Sequence, residues 1–442
     1  MQSNIATNSS PKQSTVGPMI IIGSLFFIFG FATWLNSLLI PYLQIACELT
    51  EVQSYFVTFA FYIAYLVMAP VSTAVLNKFG FKRGMGIALG VMAVGALLFI
   101  PAAYMREYIV FLTGLFVMGG GLAILQTASN PYITILGPVE TAARRISIMG
   151  ICNKLAGALA PILIGLFLNL GEADKVAKQV ESMSAAEYSA ALDAIALKVV
   201  NPYIGIVVVL IVLAIWIFNS NLPEVSGDEE ETEDHHPISE YKTSVFQFPH
   251  VLLGVLTLFL YVGVEVIAGD TIIKYGSHIG VPLTTAKFFT GLTMGAMVLG
   301  YIVGIVAIPK YFNQKTALKV CAILGLIFTV GIVVTDGMTS LIFVALLGLA
   351  NSLIWPAVWP LALTGVGKFT SAASGLLVMG IAGGAVIPLI YGALAGGSLG
   401  AQQAYWIAFP CYLFILYYGI SGHKVGLPQE AVKSTPNNDD VL

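Results

Sequence analysis

Residues Phe116–Pro138 read FVMGGGLAILQTASNPYITILGP. Apolar side chains and glycines open this run, yet Gln126, Thr127, Ser129 and Asn130 interrupt its middle. The rest of the chain decides what that cluster means. Hydrophobic residues make up 57% of the sequence and charged residues 10%, far from the balance of a soluble globular domain. That composition excludes a soluble enzyme or a nucleic-acid-binding protein and assigns the chain to a lipid bilayer. The polar cluster therefore sits at membrane depth.

A helix that crosses about 30 Å of hydrocarbon at about 1.5 Å per residue needs roughly 20 apolar residues. Such runs fall near 19–44, 53–77, 84–104, 108–134, 146–170 and 201–219, and again near 248–273, 286–308, 316–335, 339–364, 371–393 and 403–420. The expected fold is all-α: twelve transmembrane helices in two pseudo-symmetric six-helix bundles. Between the two sets lies EVSGDEEETEDHHPISE (Glu224–Glu240), acidic and poor in apolar residues, which reads as a solvated linker. The expected organisation is a cytoplasmic tail (1–18), a first bundle (19–222), an acidic cytoplasmic linker (223–247), a second bundle (248–420) and a second cytoplasmic tail (421–442).

Short cytoplasmic loops carry an excess of Lys and Arg. Placing both termini inside gathers Lys78, Lys82, Arg83, Arg144, Arg145, Lys310, Lys315 and Lys319 on one side, against a smaller set of Arg106, Lys175, Lys178, Lys198, Lys274 and Lys287 on the other. The polar start MQSNIATNSSPKQST has no apolar signal-peptide core, so the first span reads as retained. Cys47, Cys152, Cys321 and Cys411 show no metal-ligand spacing and read as packing residues.

Polarity recurs with a period of three spans. Spans three, six, nine and twelve hold almost nothing that binds a solute. Span one carries Thr33, Asn36 and Ser37 beside Trp34; span four carries Gln126 and Asn130 at i, i+4; span seven aligns Tyr261 with Glu265; span ten carries Asn351, Trp355 and Trp359 at i, i+4, i+8. A central path built from the first helix of each of four three-helix units has this signature, the nested-repeat plan of many secondary transporters. GALAPILIGLF (Gly157–Phe167) and GGAVIPLIYGAL (Gly383–Leu394) echo each other at matching places in the two halves, as do NKFGFKRG (Asn77–Gly84) and PKYFNQKT (Pro309–Thr316).

Amides both donate and accept, which matches the vicinal hydroxyls of a sugar, and indole faces suit the C–H faces of a pyranose ring. Asn36, Ser37, Gln126, Asn130, Asn153 and Asn351, with Trp34, Trp355 and Trp359, are the expected substrate-binding set. Charges within spans are few. Glu265 sits near mid-span, Asp270 about a turn beyond it, and Lys154 a few turns from the basic-loop side. Lys154 either snorkels to the interface or pairs with a membrane acid. Glu265, Asp270 and Lys154 form the expected cation-coupling set, with a sodium ion near Glu265 or a proton as the coupled species.

WLNSLLIPYLQ (Trp34–Gln44), LQTASNPYITILGP (Leu125–Pro138), RISIMGICNKLAGALAP (Arg145–Pro161), YVGVEV (Tyr261–Val266) and NSLIWPAVWPLALTGVG (Asn351–Gly367), in this order and spacing, resemble the major facilitator superfamily. The resemblance is specifically to its fucose, glucose and galactose symporter branch, with N-acetylglucosamine transporters, and covers essentially the whole chain. It implies alternating access, uptake of a sugar with Na+ or H+, residence in a bacterial cytoplasmic membrane and a functional monomer. It also marks a departure. Fucose:proton members carry an acidic residue where Ser37 stands and another where Gln126 stands, whereas the hexose members retain the Glu that matches Glu265.

No cofactor is implied. Histidines are scattered, no nucleophile constellation emerges, and Gly119–Gly121 lies inside a span, where close helix packing explains it better than phosphate binding. The expectation is a transporter and not an enzyme. The other classes weighed are a multidrug or small-solute proton antiporter and a sugar sensor that does not transport.

Overall fold

In hydrocarbon every backbone N–H and C=O must be satisfied within its own segment, so apolar runs of this length fold as helices. The structure, a computed structural model, describes residues 16–135, 142–179, 183–220, 222, 242–307 and 313–427. The acidic segment Glu224–Glu240, both expected tails beyond these limits and part of the link Pro309–Thr316 lie outside the described residues. Among the described residues, ten helices are long and apolar enough to cross a membrane. One of them, Phe56–Met105, has 50 residues and cannot be a single crossing. Its break is at Gly80, whose φ of 77° and ψ of 170° are available to glycine and strained for any residue with a Cβ. It divides into two crossings. A further crossing at the C-terminal end was too interrupted to register as one long helix. Two short turns, Gly400–Gln403 and Ala404–Ile407, lead into Ala408–Ile420.

The twelve crossings are α1 (Gly17–Ala46), α2 (56–79), α3 (81–105), α4 (Tyr108–Ile135), α5 (Ala142–Gly165), α6 (Val200–Asn219), α7 (Pro249–Asp270), α8 (Phe289–Ala307), α9 (Gln314–Val334), α10 (Gly337–Ala362), α11 (Ala372–Ala395) and α12 (Ala408–Ile420). Two departures from the sequence reading matter. The fifth crossing stops at Gly165, and the connection to α6 folds into helices Leu170–Lys178 and Ala185–Leu197, the second started by a capping box between Ser184 and Glu187. The tenth crossing is broken between Asn351 and Ile354, so the expected single stripe of Asn351, Trp355 and Trp359 is divided between two helical segments.

The two bundles repeat each other's packing. A Cβ on Gly119 of α4 would overlap the Phe61 carbonyl of α2; a Cβ on Gly348 of α10 would overlap the Thr293 carbonyl of α8. Helices four and two of one half thus meet as helices four and two of the other, through a glycine that lets backbones touch, the usual device where lipid removes any hydrophobic drive for helix association. The bundles join through α2 against α11 and α5 against α8. α6 turns Val208, Val212 and Ile215 outward. α7 does the opposite, burying every residue from Tyr261 to Asp270 and on through the following helix to Gly276.

Gly119→Val should force the α2–α4 contact apart and cost roughly 1–3 kcal/mol, as overpacking does. Gly90→Val, where a Cβ meets nothing within 4 Å, should be close to neutral by comparison. Thermal unfolding of the two purified variants in detergent checks this; equal midpoints would remove glycine packing as the reason for the α2–α4 approach.

Candidate substrate and cation path

Lys154 of α5 and Glu265 of α7 meet across the two halves, with Nζ 2.7 Å from Oε1. Neither is near water, at 6% and 9% residue exposure. An ammonium at this depth is expensive without a partner, and the pair supplies one. Of the two sequence readings of Lys154, snorkelling is therefore excluded. The same Nζ lies 4.5 Å from the centre of the Trp34 ring of α1, so the cation also rests on an aromatic face.

Trp34 occupies a slot. A Cβ on Gly157 of α5 or on Gly269 of α7 would overlap its ring, and Asn153 accepts from Nε1 at 3.5 Å. The ring is 2% exposed. Trp34 is therefore a packing wedge between the halves that seats Lys154, and its faces are taken by protein. Asn153 donates from its other amide atom toward the Phe26 carbonyl at 3.5 Å.

The remaining expected residues fall into two groups. Gln126 of α4 is half-buried and donates to the Tyr65 hydroxyl of α2 at 3.1 Å. Tyr65 stacks against Tyr62, ring centres 6.3 Å apart. Trp355 and Trp359 of α10 stack at 5.3 Å with 25° between planes, and Tyr261 of α7 leans on Trp355 at 6.4 Å. Both indoles are half-buried and so keep surface for a solute. Asn36, Ser37 and Asn351, in contrast, are wholly buried. Ser37 donates to the Trp34 carbonyl, and Asn351 accepts from the Tyr412 hydroxyl of α12 at 2.8 Å. Asn130 belongs to α4, its side chain outside those described.

Several buried polar atoms have no protein partner: both amide atoms of Asn36, the hydroxyls of Thr58 and Tyr62, the Asn351 amide nitrogen and both carboxyl oxygens of Asp270. Buried polar groups are rarely left so, and these lie on α1, α2, α7 and α10. Three of these, α1, α7 and α10, are among the four helices expected to line the path; α4 has none among the described residues, α2 was not expected, and the buried Tyr203 hydroxyl of α6 is a further one.

Sequence reasoning missed α2. Tyr55, Thr58, Tyr62 and Tyr65 recur at helical spacing, which in an apolar span is indistinguishable from ordinary packing. It also missed a second inter-half lock. Beyond α7, Lys274 reaches Glu51 Oε1 at 2.8 Å and the Ser54 hydroxyl at 2.6 Å, and lies over the Tyr55 ring. Burial pushes its ammonium down to about 8, with the Glu51 carboxylate acting in the other direction. Glu51 and Ser54 sit on a four-residue helix capped by Thr50, and in sequence TEVQS announces only a helix start. Nearby, the Leu283 amide donates to Asp174 across the halves at 2.8 Å. An even number of crossings puts this lock on the face opposite the chain ends.

Two packed six-helix bundles with a paired charge and half-buried amide and aromatic groups at their junction define a secondary transporter. The comparisons agree. The sequence profile of the Major Facilitator Superfamily matches residues 22–388. Over 421 residues the chain is 36% identical to a glucose/galactose transporter of Brucella abortus, covering 95% of this chain and 97% of that one. An L-fucose-proton symporter of Escherichia coli is 28% identical over 415 residues, covering 93% and 94%. The crystal structure of the Escherichia coli fucose:proton symporter superposes with a TM-score of 0.70 at 26% identity, covering 92% of this chain and 98% of that one. The chain belongs to the Major Facilitator Superfamily and is a multi-pass membrane protein.

Lys154→Ala should strand the Glu265 carboxylate and destabilise the fold by about 3–5 kcal/mol, whereas Lys154→Met with Glu265→Leu should recover most of that loss, because no charge is then left buried. Thermal unfolding of both variants reads this. A double variant no more stable than the single one would show that the pair is not the reason for the loss.

Proposed function

We propose that the protein carries a neutral sugar, a hexose such as glucose or galactose or else N-acetylglucosamine, together with a cation across a bacterial cytoplasmic membrane by alternating access. The observation that carries this is the uncharged polar and aromatic surface at the junction of the halves. The Gln126 amide and the Trp355–Trp359 stack stay half-buried, while the one ammonium of the embedded joint, Lys154, is spent on Glu265. Amides recognise hydroxyls and stacked indoles present a flat apolar face to a pyranose ring. An anionic substrate would instead need an unspent cation. The names of the relatives support the same substrate class.

In this reading the chain is organised as tails at 1–18 and 421–442, bundles at 19–222 and 248–420, and an acidic linker at 223–247, with both termini and the linker cytoplasmic. The distribution of Lys and Arg supports that orientation. The Lys274–Glu51–Ser54 network then lies at the outer mouth and holds it shut. Lys154, Glu265 and Asp270 couple the cation, because they are the charges shared across the membrane-embedded joint. The protein works as a monomer, sugar and cation passing between its own two bundles.

Counterflow of labelled sugars in proteoliposomes tests the substrate class. Glucose or galactose should exchange, and Gln126→Ala should weaken binding by roughly 1–3 kcal/mol, the cost of leaving a buried partner unsatisfied. Exchange of no hexose and no N-acetylglucosamine, with efflux of lipophilic cations, would replace the sugar reading with that of an antiporter; sugar binding without any exchange would make the protein a sensor. A second measurement addresses the indoles. Sugar should change the intrinsic tryptophan fluorescence, and the change should disappear in the Trp355→Phe, Trp359→Phe double variant while Trp34 remains; an undiminished signal would remove that pair from the sugar site.

A further inference from the structure

Among the described residues, Asp270 is the buried carboxyl at the joint that nothing answers. It is fully buried, and neither carboxyl oxygen has a hydrogen-bond partner. The buried ammonium groups of the joint are already committed: Lys154 to Glu265 at 2.7 Å, and Lys274 to Glu51 at 2.8 Å and to Ser54. The threonine hydroxyls against this end of α7 donate to the backbone. Thr290 and Thr293 of α8 donate to the Gly269 and Ala268 carbonyls, and Thr271 to the Ile267 carbonyl. Lys154 thus answers Glu265 of α7, Lys274 answers Glu51 of the first half with His278 3.8 Å from the same carboxylate, and Asp270 is left without a cation. A bare carboxylate in such surroundings is far costlier than the neutral acid.

The groups that sense Asp270 come from three elements. The charged groups in electrostatic reach are Glu265, five residues back on α7 and about 7.5 Å along the axis, and Lys154 of α5. From α2, Tyr62 and Tyr55 lie within electrostatic reach. The Tyr62 hydroxyl is buried and itself lacks a partner. All of these groups face the junction of the halves.

Resting on the transport reading above, we propose that Asp270 is the carrier of the coupled cation, that this cation is a proton, and that Lys154 is its positioning partner. The carboxylate takes up one H+ from the face to which the joint opens, forming the acid, and releases one H+ at the other face, regenerating the carboxylate; no other bond changes. Protonated, Asp270 leaves Lys154 to Glu265 alone, the arrangement seen here. Ionised, it competes with Glu265 for the same ammonium, one and a half turns further along α7. Lys154 belongs to one half and both acids to the other, so transfer of the ammonium between them displaces the halves relative to each other. That is how loading with a proton would bias which face is open.

The test uses the full chain reconstituted in lipid. Infrared difference spectra between acid and alkaline pH should show the carbonyl band of a protonated carboxylic acid, absent in Asp270→Asn and shifted but present in Asp270→Glu. Asp270→Glu keeps the measurement decisive if the Asn variant does not fold. With labelled glucose, accumulation driven by a proton gradient should fall at least tenfold in Asp270→Asn, and the alkalinisation that accompanies sugar entry should vanish. A carboxylic-acid band unchanged in Asp270→Asn, or accumulation in the unaltered protein driven by a sodium gradient at constant pH, overturns the assignment. If the unaltered protein exchanges no sugar and the band still follows residue 270, the sugar reading fails and the proton site stands.

Discussion

A single ion pair in a dry interface, Lys154 to Glu265, sets the terms for the rest of the molecule. It joins a helix of one bundle to a helix of the other, and burying two charges is tolerable only if they remain together. The surroundings are shaped to that requirement. Gly157 and Gly269 lack side chains where the Trp34 ring must enter, and the ring supplies the ammonium with its other contact. α7 is buried all round from Tyr261 onward because the pair must be kept from water, and the lipid-facing work passes to helices such as α6. A transporter must nevertheless let its halves separate and rejoin. An ion pair between the bundles, strong when dry and weak when wet, ties the seal of the path to its hydration.

The same economy explains how the path is kept neutral. Ser37 and Gln126 stand where fucose:proton members of the resembled branch carry acids, and the uncharged Gln126 amide binds a tyrosine hydroxyl of α2 instead. The charges have been drawn onto α7 and its continuation, where Glu265, Asp270 and Lys274 follow each other along one axis. Two of them are answered from the first half of the chain, by Lys154 and by Glu51. In the proposed reading, substrate recognition and cation coupling thus use different helices that share one joint.

Much of this was legible from residues alone, and what was legible has a common cause. Hydrocarbon thickness sets helix length, so the runs of apolar residues located nearly all twelve crossings. The Gly119–Gly121 run was rightly read as packing, since only glycine lets α4 touch α2. Gln126 of span four and the indoles of span ten, expected to face the path, are half-buried here, and the Gln126 amide meets a tyrosine hydroxyl, as a polar side chain in a membrane must meet a partner. Trp34 and Asn351, expected at the substrate, are met by protein groups in this structure, since a helix face shows which residues point inward but not what fills the space there. Tyr62 and Tyr65 were overlooked because a tyrosine in an apolar span looks like any other aromatic until its hydroxyl is placed.

By itself the sequence determined that this is a two-bundle, twelve-helix membrane protein with amides, indoles and a few charges at depth, since those are local properties set by the free energy of moving each segment out of water. Only the tertiary structure decided which charges meet. Lys154 and Glu265 are 111 residues apart, and Ser54 and Lys274 are 220 apart, separations over which no periodicity operates. It also decided that Asp270 has no such partner, because whether a buried carboxylate is answered depends on helices from elsewhere in the chain, whose positions are fixed by glycine contacts and ring packing and not by anything near residue 270.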